Sequence, residues 1–303
     1  MRGDKMKSKE IKAVFILLLT AAIWGFAFVA QRAGMEHIGA FTYNGIRFAL
    51  GSASLLPIIY FSGKNNKDAE AKPKADLKTT IKSGIMAGCI LFIAASFQQV
   101  GLIYTTAAKA GFITSLYIVL VPILGIFLKQ KTYSTTWIGA VTAAVGLYFL
   151  SINEDFSIQL GDLLQLIGAF FWAAHIQVID RFVKNVDAVK LSSAQFATCS
   201  ILSLITAFAL EDISIGGIYL ALIPILFGGI MSVGVAYTLQ AVGQRYAKPA
   251  HAAIALSMEA VFAAIGGMLI LKETMNLRGY FGCALMLAGM LITQTENIKT
   301  ENK

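Results

Sequence analysis

The strongest constraint on this chain is a succession of apolar stretches, each about as long as a bilayer is thick, with Lys and Arg confined almost wholly to alternate connections between them. In hydrocarbon, a backbone satisfies its own N–H and C=O groups only in helices or closed barrels. The stretches run near twenty residues and are rich in Ala, Leu, Ile and Gly, so they predict transmembrane helices and not the roughly ten-residue alternating strands of a barrel. Ten spans follow: residues 11–30, 40–61, 81–103, 106–128, 135–151, 160–180, 189–210, 217–240, 249–271 and 277–293.

Charge sets the orientation. Arg32, Lys272 and Arg278 stand on one set of connections, and Arg47 and Lys109 lie inside spans. Counting a Lys near a span end with its connection, every other Lys and Arg falls on the opposite set, which includes both termini and the Lys-rich 62–80 loop. Cytoplasmic connections carry the excess of Lys and Arg, so the bias predicts an even number of spans in the plasma membrane with both termini cytoplasmic. The first stretch, 11–30, follows a basic N-terminus but is too long for the roughly 7–15-residue core of a signal peptide, so it is read as a span.

Composition narrows the function classes. The 303 residues are 57% hydrophobic and 14% charged, against about 25% charged in a soluble domain, which leaves no room for a large soluble domain. The net charge of +8 does not point to nucleic acid, because the basic residues are scattered over connections and never interleave with aromatics on one face. Cys89, Cys199 and Cys283 sit inside apolar stretches, with neither metal spacing nor a disulfide framework. No G-x-x-x-x-G-K-[ST] loop is present to bind ATP. No cofactor, metal or catalytic residue is expected, and the bilayer and a small-molecule substrate are the expected partners. The oligomeric state, monomer or homodimer, stays open.

The chain also repeats itself. Shifted by 142 residues, segment 98–131 aligns without a gap on 240–273, with identities that include Gln98/Gln240, Gly101/Gly243, Tyr104/Tyr246, Ser115/Ser257 and Gly125/Gly267. A shift of 148 pairs Trp24 with Trp172. Halves at 1–152 and 153–303 then hold five spans each, and an odd number per half inserts them in opposite directions. The predicted fold is an all-α integral membrane protein of ten transmembrane helices in two inverted five-helix repeats. Inverted repeats are a carrier architecture with its site near mid-membrane between the halves.

Several of these residues, in this order, resemble a known family: Trp24-Gly25, Arg47, the stretch 111–117 (GFITSLY) with Val121-Pro122, Gly139 and Gly146, then Ser257-Met258-Glu259-Ala260 and Leu271-Lys272-Glu273. The family is the EamA-type transporters of the drug/metabolite transporter superfamily, and the likeness covers nearly the whole chain. Ala260 stands where that family usually has Pro, and Gln130-Lys131 replace the acidic end of the first repeat. The resemblance implies a permease that exports small metabolites, amino acids or drugs.

Ionisable residues deep in the membrane are costly, at least about 2.5–3.5 kcal/mol each, and mark function by default. They are Arg47, Lys109, His175, His251 and Glu259. Glu259 lies ten residues beyond Pro249, roughly 15 Å along a helix and so near mid-bilayer, where a carboxyl can take up and release a proton or hold a substrate; the structural alternative is a tether between helices. Its repeat counterpart is Tyr117. Lys109 and its counterpart His251 fall near opposite mouths of a cavity, where they could gate an anionic group or simply snorkel to the headgroups. Arg47 either binds substrate or ties the bundle together. His175 shares a helix face with Gln165 and Trp172 and is read either as a proton relay or as a packing residue. Trp24, Trp172 and Tyr117 are candidates for an aromatic cage around a planar or cationic substrate. Gln98, Gln99 and Gln240 add hydrogen-bonding groups, and Pro57, Pro122 and Pro224 are expected to interrupt their spans. The substrate-binding set is thus Trp24, Arg47, Gln98, Lys109, Tyr117, Trp172, His175 and Glu259, with Glu259 and His175 as the proton-coupling pair. The expected activity is secondary transport by alternating access, driven by protons or by the substrate's own gradient. A channel or an intramembrane enzyme is the alternative, although neither a ring of like charges nor clustered catalytic groups is visible.

Overall fold

A computed structural model describes residues 2–64, 76–105, 107–151, 159–270 and 277–300, with side chains over 11–61, 76–105, 110–149, 159–265 and 277–293. Among the described residues every regular element is helical: α1 (Arg2–Met35), α2 (Ala40–Lys64), α3 (Leu77–Tyr104), α4 (Ala107–Ser115), α5 (Tyr117–Phe127), α6 (Ser134–Ser151), α7 (Leu160–Val183), α8 (Ala188–Leu210), α9 (Ile215–Leu220), α10 (Leu222–Leu226), a π-helix (Phe227–Tyr237), α11 (Thr238–Gln244), α12 (Pro249–Leu256), α13 (Glu259–Ile270) and α14 (Leu277–Thr300). Each of the ten apolar stretches is helical over most of its length. Among the described residues six segments are long and apolar enough to cross a membrane: Ile11–Met35, Leu77–Tyr104, Ala110–Phe127, Leu160–Val183, Ala188–Leu210 and Leu222–Gln244. The protein is an all-helical integral membrane protein.

Burial follows the solvent. Phe15, Leu56, Phe127, Phe208, Ile223 and Leu287 lie exposed on the outside, while Gln98, Gln99, Gln165, Gln195 and His175 are buried. In water that distribution would be costly; in lipid the apolar outer face is dissolved, and Gln98, Gln165, Gln195 and His175 find hydrogen-bond partners inside.

Helix pairing is orderly. The most extensive pair is α6 with α14, then α2 with α8 and α3 with both α7 and α8. The π-helix lies between α1 and α2; α1 also packs on α12 and α13, as α7 packs on α4 and α5. Small residues allow these approaches. On α14, a Cβ at Gly289 would stand 2.6 Å from the Gly139 carbonyl oxygen of α6.

The caps are local chemistry. Asp76 opens α3 and accepts from the Thr79 N–H at 2.9 Å; hydrogen bonds from Thr79 hold its carboxyl below the usual range. For α2 the cap comes from far along the chain. Glu211, at the end of α8, accepts from the Phe41 N–H at 2.8 Å, the Thr42 N–H at 2.7 Å and the Thr42 hydroxyl at 2.8 Å. Gly39 leaves room for it, since a Cβ there would overlap the Glu211 carboxyl. Removing a side-chain cap costs about 1–2 kcal/mol, so Glu211→Ala is expected to lower the melting temperature and Glu211→Gln to recover part of the loss; a thermal scan in detergent checks this.

Of the three prolines, Pro224 stands at a break: α9 ends at Leu220 and α10 begins at Leu222, and Pro224 lacks the N–H that would have bonded the Leu220 carbonyl. α2 runs unbroken through Pro57, and α5 contains Pro122 within it. Two more breaks come away from any proline, at Leu116 between α4 and α5 and at Ser257-Met258 between α12 and α13. Pro122 lacks the N–H that would have bonded Ile118, two residues past the first break, so it is not the cause. Both breaks show tightened i→i+3 bonds, Leu116 N to Ile113 O at 3.1 Å and Met258 N to Ala255 O at 3.3 Å. At the second, the Ser257 hydroxyl donates back to the Ile254 carbonyl at 2.8 Å, a bond that bends helices. Pro224 sits in α10, just ahead of the π-helix.

Candidate functional site: a cavity at two broken helices

The two breaks stand at the same place in the 142-residue repeat, so Tyr117 opens α5 and Glu259 opens α13. The two side chains meet. The Tyr117 hydroxyl donates to Glu259 Oε1 at 3.0 Å, and the Ser115 hydroxyl donates to the same oxygen at 3.3 Å. A carboxylate in the first turn of α13 also lies at the positive end of that helix. Discontinuous helices with their half-helix ends aimed at one point are how transporters build sites within a bilayer.

A polar chain continues around the same space. The Thr114 hydroxyl donates to Gln165 Oε1 at 3.2 Å, Gln165 Nε2 to the Gln98 carbonyl at 2.8 Å, and Gln98 Nε2 to Gln31 Oε1 at 3.4 Å. The other wall is aromatic. Tyr237, at the end of the π-helix, lies 4.5 Å from Trp24 and 5.9 Å from Trp172, nearly parallel to the latter at 21°. Trp24 Nε1 donates to the Ser232 carbonyl of the π-helix at 3.2 Å, which fixes that ring.

Between these walls lies a cavity of about 430 Å³ of empty space, counting the part that opens to solvent. Glu259, Tyr117, Gln98, Trp24 and Trp172, all expected from the sequence, line it together with Phe28, Gln31, Thr114, Ile176, Ser232, Tyr237 and Gln240. Some of its polar groups are unspent. Among the described residues no side chain bonds Glu259 Oε2, the Tyr237 hydroxyl or the Gln240 amide, and the buried Trp172 Nε1 has no partner. Buried polar groups normally bond to protein or to ordered water, so these groups can bond a ligand or water that enters the cavity.

The other expected residues lie elsewhere. Arg47 is buried one layer out, donating Nε–H to Asn44 Oδ1 at 2.9 Å, with its guanidinium 4.9 Å from the Phe48 ring centre and 5.5 Å from that of Tyr43. His175 stands behind the aromatic wall, edge-on to Trp172 and Tyr237, with Nε2 2.9 Å from Gln195 Oε1. His251 is buried on α12 and does not line the cavity. The side chain of Lys109 lies outside the described residues.

Sequence reasoning missed Gln31, Thr114, Ser232 and Tyr237. Gln31 fell just past the end of the first expected span, whereas α1 continues to Met35. The repeat could not find Tyr237, because its counterpart at the 142 shift is Ala95. The one signal was a phenol deep in an apolar stretch.

Known proteins carry the same pattern. The profile of the EamA-like transporter family matches residues 11–152 and again 159–295. The chain belongs to the EamA-like transporter family. It is 32% identical to an uncharacterized transporter of Archaeoglobus fulgidus over 96% of this chain and 88% of that one. The uncharacterized transporter YoaV of Bacillus subtilis is 22% identical over 93% and 96% of the two chains. A solved crystal structure superposes with a TM-score of 0.76 at 17% identity, covering 96% of this chain and 99% of that one, which shows the shared fold. As an EamA-like transporter the protein is a multi-pass membrane transporter, and its family implies a small-molecule substrate.

Proposed function

We propose that this transporter is a secondary carrier that moves small metabolites by alternating access across the plasma membrane, with both chain ends cytoplasmic and export as its direction. Residues 1–152 and 153–303 are its two inverted halves, each with five spans. Helix exchange supports this: α7 packs on α3, α4 and α5 as α1 packs on the π-helix, α11, α12 and α13, while α2–α8 and α6–α14 pair each element with its own counterpart. The observation that carries the reading is the cavity itself. Its lining draws on Trp24, Gln98, Thr114 and Tyr117 from one half and Trp172, Ser232, Tyr237 and Glu259 from the other, so a rocking of one half against the other would open it to either side. Glu259 is the proton-coupling group, with His175 behind it as the second.

Reconstitution tests the reading. A carrier gives saturable flux in proteoliposomes, with counterflow of labelled substrate and drive from an imposed pH gradient. Flux that rises without saturation argues for a channel, and chemical conversion of the substrate argues for an enzyme.

A further inference from the structure

We infer that the cavity takes a protonated organic amine bearing a flat or apolar group, the ammonium at Glu259 Oε2 and the carbon skeleton against Trp24, Trp172 and Tyr237. The inference rests on the carrier reading and deepens it. Among the described residues Glu259 is the one carboxyl group at the cavity, and no Lys, Arg or His lines it. Arg47 does not line the cavity; its Nε–H goes to Asn44 and its guanidinium lies over the faces of Tyr43 and Phe48. The Ser115 and Tyr117 hydroxyls both donate to Oε1, at 3.3 and 3.0 Å, which leaves Oε2 without a donor among the described residues. A buried carboxylate lacking a counter-cation is unfavourable, and an ammonium ligand would supply that cation. The adjacent ring cluster favours the same sign of charge, since π-faces attract cations, Trp most of all. An anion would meet Glu259 with no cation to offset it, and a zwitterion would leave its carboxylate facing only Gln31, Gln98 and Gln240; such uncompensated charge is how a site rejects the wrong ligand.

Three probes of one skeleton test it on the purified full chain: 2-phenylethylammonium, 2-phenylethanol and phenylacetate, with binding measured by calorimetry and thermal shift. The ammonium is expected to bind roughly tenfold or more tighter than the alcohol, with phenylacetate weakest. Glu259→Gln is expected to abolish the ammonium's advantage. Equal or tighter binding of the alcohol or the anion, or an ammonium preference that survives in Glu259→Gln, overturns the inference, as does the absence of binding by all three. The unsubstituted chain provides a second readout that needs no variant: 2-phenylethylammonium should protect Glu259 from dicyclohexylcarbodiimide labelling, whereas phenylacetate should not. Equal labelling with either probe overturns it. Saturable flux with counterflow but no ammonium preference would overturn the amine assignment and leave the carrier standing; loss of saturable flux would strike the carrier itself.

Discussion

Glu259→Gln is expected to reduce saturable flux by roughly 10–100-fold, the order of losing one charge-assisted contact of about 1.5–3 kcal/mol, and to flatten the pH dependence of what remains. The variant should still insert and fold. Gln keeps the volume, and its amide oxygen can accept the Ser115 and Tyr117 hydroxyls that now bond Oε1; only the ionisable oxygen is lost. Size-exclusion and thermal scans check the fold, and initial rates in proteoliposomes over a range of external pH check the role. Wild-type flux with an unchanged pH profile would show that Glu259 only tethers α13 to α4 and α5. Tyr117→Phe, which deletes one of the two donors, should fall between the variant and the wild type.

The second large effect comes from a residue with no side chain. At Gly25 of α1 an added Cβ would lie 2.7 Å from the Ala263 backbone nitrogen and 2.8 Å from the Glu259 carbonyl oxygen. Both are backbone atoms, so no rotamer relieves the clash and α1 must move off α13. Overpacking of this kind costs about 1–3 kcal/mol, and here the shift acts on the helix that starts with Glu259 and on Trp24 next to it. Gly25→Ala is therefore expected to lower the melting temperature and to depress flux more than stability alone explains. Gly111→Ala is the matched control: its Cβ would meet the Phe28 ring at 3.6 Å, an ordinary contact, so both stability and flux should stay near wild type. Equal effects at Gly25 and Gly111 would mean that the α1–α13 approach does not position the site.

Much of this was visible in the sequence because lipid imposes simple rules. A twenty-residue apolar run has few alternatives in hydrocarbon, so each expected span falls on helix, although α1 and α14 extend well past the expected ends and the 106–128, 217–240 and 249–271 spans are each broken. Glu259 and the Trp24/Trp172 pair were found for the same reason, as polar or bulky aromatic groups where lipid chains should be. Helix breaks were harder. Pro57 and Pro122 lie within continuous helices, Pro224 stands beside a break, and the break at Ser257-Met258 goes with a hydroxyl bond that no local pattern marks. Arg47 and His175 show the converse limit. Cost in the membrane marked them as exceptional, but it could not say whether their partner would be a ligand or Asn44, Gln195 and neighbouring rings. Tyr237 joined the cage through the position of the π-helix, which no local pattern announced.

A cysteine at Ser232, in a chain whose Cys89, Cys199 and Cys283 are replaced by Ala, reports on the cavity from inside with little change in volume, since Ser232 lines it. Reaction with a membrane-impermeant thiol reagent is then measured from each face of oriented proteoliposomes, with and without a transported substrate. Alternating access predicts labelling from both faces, with substrate raising the rate on one face as it lowers the rate on the other. Labelling from one face alone under every condition, or from both faces together with no reciprocal change, would contradict it.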